Sequence, residues 1–200
     1  MKNIENRVAV YWGAFNPATN WHKFVIESIL AKTSVEKIIL NPDGPRLDKD
    51  YKIEPYHREK MIDMFVEHLV KNWIDIEVDK HFFSWKNGRD TTIMQVKDYY
   101  KEVLWFEPSF VFGTDVINAM PNWKDNENQY IEKKLAKIFI KRPGSEYDLT
   151  WFENYQIIET ELKDISSTKV KEFLKSNKTQ VSELIIPEIR DYILKNDLYV

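Results

Sequence analysis

The sequence predicts an α/β fold: a Rossmann-like, doubly wound, mostly parallel sheet with a C-terminal helical extension. Three observations carry this. Short apolar runs of strand length alternate with longer segments of helical periodicity. Several runs close on glycine, proline or asparagine, the punctuation of strand-to-helix turns. The 200 residues, 43% hydrophobic and 30% charged, suffice for one well-cored unit and not for two ordinary ones. The chain reads as one domain over residues 1–200, with a helical part from about residue 165 onward.

Val8-Ala9-Val10-Tyr11-Trp12 is an apolar run ending at Gly13 and reads as a buried strand. From Asn20 to Ala31, Phe24, Ile26, Ile29 and Leu30 recur at near-helical spacing. Lys37 to Leu40 is a second strand, stopped by Asn41-Pro42-Asp43-Gly44-Pro45. Pro55 to Val70 reads as a helix with proline in its first turn and Met61, Met64, Phe65 and Leu69 on one face. Ile74 to Val78 alternates as a half-buried strand does, and Thr92 to Leu104 is helical. Phe110-Val111-Phe112 closes on Gly113, Lys137 to Ile140 precedes Arg142-Pro143-Gly144, and Gln156 to Glu159 makes a shorter last strand. Ser167 to Leu174 and Pro187 to Leu194 are the closing helices. In such sheets ligands sit outside the carboxyl ends of the strands, which directs attention to the residues after Gly13, Asn41 and Gly113.

Composition narrows the chemistry. A net charge of -3 argues against a surface that coats nucleic acid, though a phosphate pocket needs only a few cations and backbone N–H groups. The absence of cysteine removes disulfides, thiolate zinc sites and thiol nucleophiles. No apolar run approaches the ~20 residues of a membrane span, and Met1 to Arg7 carries no signal-like core. A cytoplasmic protein without membrane or nucleic-acid partners is expected. No heptad or sticky edge decides the oligomeric state, and a homo-oligomer stays open.

After the first strand comes Gly13-Ala14-Phe15-Asn16-Pro17-Ala18-Thr19-Asn20-Trp21-His22. It is neither a Walker loop nor a dinucleotide fingerprint. A glycine there lets backbone approach a phosphate, and the next helix would aim its N–H groups at the same place. Thr19 and His22 share a face at that helix's start. Taken singly, Asn16-Pro17 is a turn, Thr19 or Asn20 a helix cap, and His22 an ordinary half-buried histidine.

Taken together, Gly-x-Phe-Asn-Pro-x-Thr-Asn-x-His resembles the signature of the nucleotidyltransferase superfamily with a [His/Thr]-x-Gly-His motif. It looks most like the nicotinamide/nicotinate mononucleotide adenylyltransferases. Trp21 stands where many members have glycine. Pro42-Asp43-Gly44 through Lys49 to His57-Arg58-Glu59-Lys60-Met61 resembles the family's lysine loop and His-Arg-x-x-Met helix. Gly113-Thr114-Asp115 with Trp123 resembles its Gly-x-Asp and downstream tryptophan. Ile165-Ser166-Ser167-Thr168-Lys169-Val170-Lys171 resembles Ile-Ser-Ser-Thr-x-Ile-Arg, with lysine in place of arginine.

The resemblance implies transfer of AMP from ATP to nicotinamide or nicotinate mononucleotide, with release of pyrophosphate. It makes His22 the main donor to the α-phosphate, helped by Thr19, with Lys49 as the triphosphate cation and Arg46 and Lys52 as competitors for that role. Gly13, Ala14, Phe15, Gly113 and Asp115 would lie along ATP, and Ser166, Ser167, Thr168 and Lys171 would cradle the leaving phosphates. Asn16, Trp123, Trp85 and Thr92 would meet the pyridine mononucleotide. Arg58 either braces a phosphate loop or is purely structural. Mg²⁺ would arrive with ATP, since no carboxylate cluster in the sequence resembles a dedicated metal cage. Two alternatives stand beside this: another adenylyltransferase of the superfamily, such as phosphopantetheine adenylyltransferase, and a nucleotide sensor that has lost turnover.

Overall fold

The computed structural model describes residues 6–44, 51–84, 90–124, 126–159, 165–176 and 180–199. Six strands form one sheet: β1 (Val8–Gly13), β2 (Lys37–Pro42), β3 (Ile76–Val78), β4 (Ser109–Gly113), β5 (Lys137–Ile140) and β6 (Tyr155–Ile158). Their order is β3-β2-β1-β4-β5-β6, and every pairing is parallel. The chain order therefore reverses between β1 and β4, where a doubly wound sheet leaves a crevice at its carboxyl edge.

Side chains alternate across the strands, and the two faces carry separate cores. Ala9, Ile38, Leu40, Val111, Ile138, Ile140 and Ile158 face one way. They are covered by α1 (Asn20–Lys32), α2 (Pro55–Lys71), α5 (Ser167–Ser176) and α6 (Pro187–Lys195). Val10, Ile39, Phe110, Phe112 and Phe139 face the other way, under α3 (Ile93–Leu104) and the short α4 (Tyr130–Lys133). A 3₁₀ helix, Thr114–Asn122, follows β4 directly, in a stretch for which no strand or helix is expected from the sequence.

The C-terminal residues, expected as an extension on the domain, are packed into its first face. Val170, Leu174, Ile185, Ile189 and Ile193 join the same core as Val25, Ile29, Phe65 and Leu69. Polar ties run alongside: the Asn20 N–H donates to the Leu184 carbonyl at 2.8 Å, and Nδ1 of His57 lies 2.9 Å from the Tyr192 hydroxyl. Burial of such an apolar face is what holds a short helix in water.

Candidate functional site

A cavity of about 690 Å³ opens over the β1–β4 crevice. Most of its lining comes from four separated stretches, Tyr11 to Phe15 with Trp21 and His22, Asp90 to Ile93, Val111 to Gly113 with Asp115 and Trp123, and Ile165 to Thr168, and Asp43 and Arg142 add to it. The first and last meet directly. Ser167 Oγ donates to the Pro17 carbonyl at 2.9 Å, and Thr19 Oγ1 reaches the Ile165 carbonyl at 3.5 Å.

His22 is held by its own helix start. The Thr19 N–H donates to Nδ1 at 2.9 Å, and Thr19 Oγ1 lies 2.8 Å from the same nitrogen. Phe15, 1% exposed, meets the imidazole edge-on at 5.0 Å between ring centres, and Tyr11 lies beyond at 6.0 Å. Burial, with the nearby Arg142 cation adding to it, pushes the imidazole down to about 3, so the ring is neutral at physiological pH.

Three amides at the start of α1 are already engaged: the Thr19 N–H is bound to His22, the Asn20 N–H to Leu184, and the His22 N–H to the Thr19 side chain. Gly13 lines the cavity and also serves packing. A Cβ on it would stand 3.2 Å from Phe15 Cζ, so the missing side chain makes room for the ring that walls His22. The helix start aimed at the cavity is that of α5, where the first amides of an α-helix have no intrahelical acceptor. Ser166 Oγ caps it by accepting from the Lys169 N–H at 3.2 Å.

Across the crevice Asp115 forms an ion pair with Arg142 at 3.2 Å. A Cβ on Gly113 would fall 2.2 Å from Asp115 Oδ1 and 3.0 Å from Arg142 Nε, so glycine leaves the space this pair occupies. Arg142 lines the cavity and was missed from sequence. The signal was available, since Arg142 follows the carboxyl end of β5 as Gly13 and Gly113 sit at those of β1 and β4. Trp12, the last large side chain of β1 and expected only as part of that strand, also lines the cavity.

The remaining expected residues divide. Thr92 lines the cavity while capping α3 through the Gln95 N–H at 3.3 Å. Trp123 faces it too and packs against Phe112 at 5.7 Å. Asn16 does not line it: 3% exposed, it donates to the Tyr51 carbonyl at 2.8 Å and accepts from the Tyr199 hydroxyl, tying loop to C-terminus. Arg58, buried, braces the site from behind by donating to the carbonyls of Ala14 and Asp43 and to the Asp43 carboxylate. Lys171 lines a neighbouring cavity of about 960 Å³ with Lys52, His57 and Lys175, and Thr168 borders both spaces. Arg46, Lys49 and Trp85 lie outside the described residues. Among the described residues no three His, Cys, Asp or Glu side chains gather as a metal site, and no helix is long and apolar enough to cross a membrane.

The cavity thus has two chemical halves. On the α1 side stand an imidazole, hydroxyls and a helix start, which suit phosphate. On the α3 side stand Trp12, Ile93, Phe112 and Trp123, which suit a flat ring. Asp115 and Arg142 lie at the β4–β5 edge.

Residues 10–173 match the family model described as cytidylyltransferase-like. The chain is 24% identical over 203 residues to a probable nicotinate-nucleotide adenylyltransferase of Streptococcus mutans, covering 96% of this chain and 88% of that one. It is 25% identical over 204 residues, with the same coverage, to the protein of that name in Streptococcus pneumoniae. Among solved structures, Plasmodium falciparum nicotinic acid mononucleotide adenylyltransferase complexed with NaAD superimposes with a TM-score of 0.81 at 24% identity, over 96% of both chains. A putative nicotinate-nucleotide adenylyltransferase from Vibrio parahaemolyticus gives 0.65 at 17% identity, over 97% of this chain and 95% of that one.

Proposed function

Since this chain belongs to the cytidylyltransferase-like family, we propose that it is an adenylyltransferase that joins the AMP part of ATP to a pyridine mononucleotide and releases pyrophosphate. The observation that carries the reading is that His22 and the Ser166–Thr168 turn, 144 residues apart at their nearest, line one cavity. The names of the relatives point to nicotinate mononucleotide as an acceptor.

The acceptor's 5′-phosphate attacks the α-phosphorus of ATP, a new P–O bond forms, and the bond to the β-phosphate oxygen breaks. The attacking group is already an anion, so no protein nucleophile is required. The protein positions the two phosphates and stabilises charge on the transferring group. Neutral His22 serves as the hydrogen-bond donor to the α-phosphate, and Thr19 fixes its ring. The hydroxyls and first amides of α5 take the leaving phosphates, which run past Thr168 toward Lys171 and Lys52. Asp115 holds the ATP ribose, with Arg142 as the cation of the β4–β5 edge, and Trp123 and Phe112 wall the pyridine ring. Mg²⁺ belongs to the substrate here, entering on the triphosphate.

The test is pyrophosphate release from ATP with nicotinate mononucleotide, nicotinamide mononucleotide and phosphopantetheine as acceptors. Release with a pyridine mononucleotide, and not with phosphopantetheine, is expected. Release with phosphopantetheine alone would move the protein to another branch of the superfamily. ATP binding without release on any acceptor would make it a nucleotide sensor.

A further inference from the structure

Arg142 is fixed by its backbone, while its side chain is held by a single-point contact. Its N–H donates to Thr114 Oγ1 at 2.9 Å, and its carbonyl accepts from Ser145 Oγ at 2.9 Å. The two hydroxyls stand 2.5 Å apart. Because the Ser145 proton is committed to the carbonyl, Thr114 donates to Ser145, and a closed ring of three bonds sets the residue in place. Thr114 is buried and follows β4 directly, so the ring ties the carboxyl ends of β4 and β5 together. The guanidinium meets Asp115 only through Nη1 and Oδ2 at 3.2 Å, between side chains 36% and 44% exposed. A pair as exposed as this contributes at most about 1 kcal/mol, so a ligand that offers more can draw the guanidinium away.

Arg142 and His22 line the same cavity, and the charge of one is felt at the other. Burial first, and then the Arg142 cation, lowers the His22 imidazole; at its neighbour Tyr11 the same cation opposes the rise that burial gives the hydroxyl. A neutral imidazole supplies no charge, yet the reaction brings one phosphate anion against another. Of the described residues lining the cavity, Lys124 and Arg142 carry a full positive charge, and Lys124 is exposed beside Trp123, on the aromatic half. Resting on the adenylyltransferase reading above, we infer that Arg142 is a second catalytic residue: when ATP binds, its guanidinium leaves Asp115 and takes oxygens of the α-phosphoryl group across the crevice from His22. A guanidinium fork spans two phosphate oxygens, a stronger contact than one exposed bond to a carboxylate. Asp115 is released at the same moment for the ribose, so one exchange serves both ends of the AMP unit. Arg142 forms no covalent bond and keeps its protons. It acts by stabilising the negative charge of the transferring group.

The experiment compares wild type with Arg142→Gln, measuring kcat with a pyridine mononucleotide and the Kd of MgATP by calorimetry. The variant's kcat should fall roughly a hundredfold, the scale of one lost transition-state contact. Its Kd should rise by about tenfold or less, because the wild-type guanidinium gives up Asp115 to reach the nucleotide. A loss confined to the Kd, or a kcat within about threefold of wild type, overturns the proposal and leaves Arg142 as a brace for Asp115. A second measurement needs no turnover. With MgATP bound and no acceptor present, the α-phosphorus NMR resonance should differ between wild type and Arg142→Gln more than the β and γ resonances do. Equal displacement of all three, or a change centred on β and γ, overturns the contact. Should no pyridine mononucleotide be adenylylated, the adenylyltransferase reading fails, and the phosphorus comparison alone then decides for or against Arg142.

Discussion

The backbone N–H of Thr19 donates to Nδ1 of His22 at 2.9 Å. That bond occupies the Nδ1 lone pair, so the neutral ring carries its proton on Nε2, which remains as the donor. Phe15 and Tyr11 pack beside the ring and keep water from those sides of it. The short loop thus sets the orientation, the tautomer and the charge of one side chain.

His22→Ala should lower kcat by roughly a hundredfold, the scale of one lost transition-state donor, with the fold retained. The pH profile separates this role from general-base catalysis. Burial and Arg142 hold His22 down at about 3, so its charge does not change between about pH 5 and 8. In that window kcat/KM should show no limb that disappears in the variant; a limb near pH 6.5, abolished by the substitution, would show a titrating base instead. The same shift affects stability. An unfolded histidine takes up a proton as pH falls through about 6.5, while folded His22 resists until about 3. This residue's contribution is therefore intact above that range and is lost progressively on acidification.

Gly113→Ala places a methyl group on the Asp115–Arg142 pair. The backbone at Gly113 has φ −73°, which alanine adopts without strain, so the damage should be local. ATP affinity measured by calorimetry should fall roughly tenfold, the scale of one charge-assisted hydrogen bond, with the melting temperature little changed. Unchanged affinity would remove Asp115 and Arg142 from the nucleotide site.

Lys137 is 0% exposed and donates to three carbonyls, those of Ile131, Glu132 and Leu135, at 2.7, 3.2 and 2.5 Å. It closes the end of α4 far from any substrate role. Lys137→Met keeps the stem and orphans those oxygens, so stability should fall by about 2–4 kcal/mol with kcat/KM retained. Burial also lowers this ammonium to about 7, below the usual 10.5 of an unfolded chain. Between those values the unfolded state binds more protons, so this residue's contribution to stability should rise with pH there. Denaturant titrations at several pH values should show that slope in wild type and not in the variant.

Much of this was legible in the chain. Apolar runs such as Lys37 to Leu40 and Lys137 to Ile140 marked the strands because a buried parallel strand must be apolar on both faces. The helix starts at Asn20, Pro55 and Ser167 followed from local capping and proline chemistry. Three of the four motifs pointed to His22, to Asp115 with Trp123, and to the Ser166–Thr168 turn, all of which line the cavity, because each is a short stretch whose residue types carry the signal.

What only the folded chain decided is which side chains meet. Arg142, in a Pro-Gly turn, acquires its place from Asp115, 27 residues earlier in the sequence. Asn16, inside the most recognisable motif, is turned away from the cavity by Tyr51 and Tyr199. Trp12 and Asn41 become neighbours only through the β1–β2 register. Local propensity acts over a few residues, whereas a hydrogen-bond partner or an empty place for one is fixed by the packing of distant strands. The sequence by itself therefore determined most of the strands and helices and the family. The charge state of His22 and the unpaired Trp12 and Asn41 were settled by burial, and the Asp115–Arg142 pair by the β4–β5 pairing, both of which exist only once the sheet has formed.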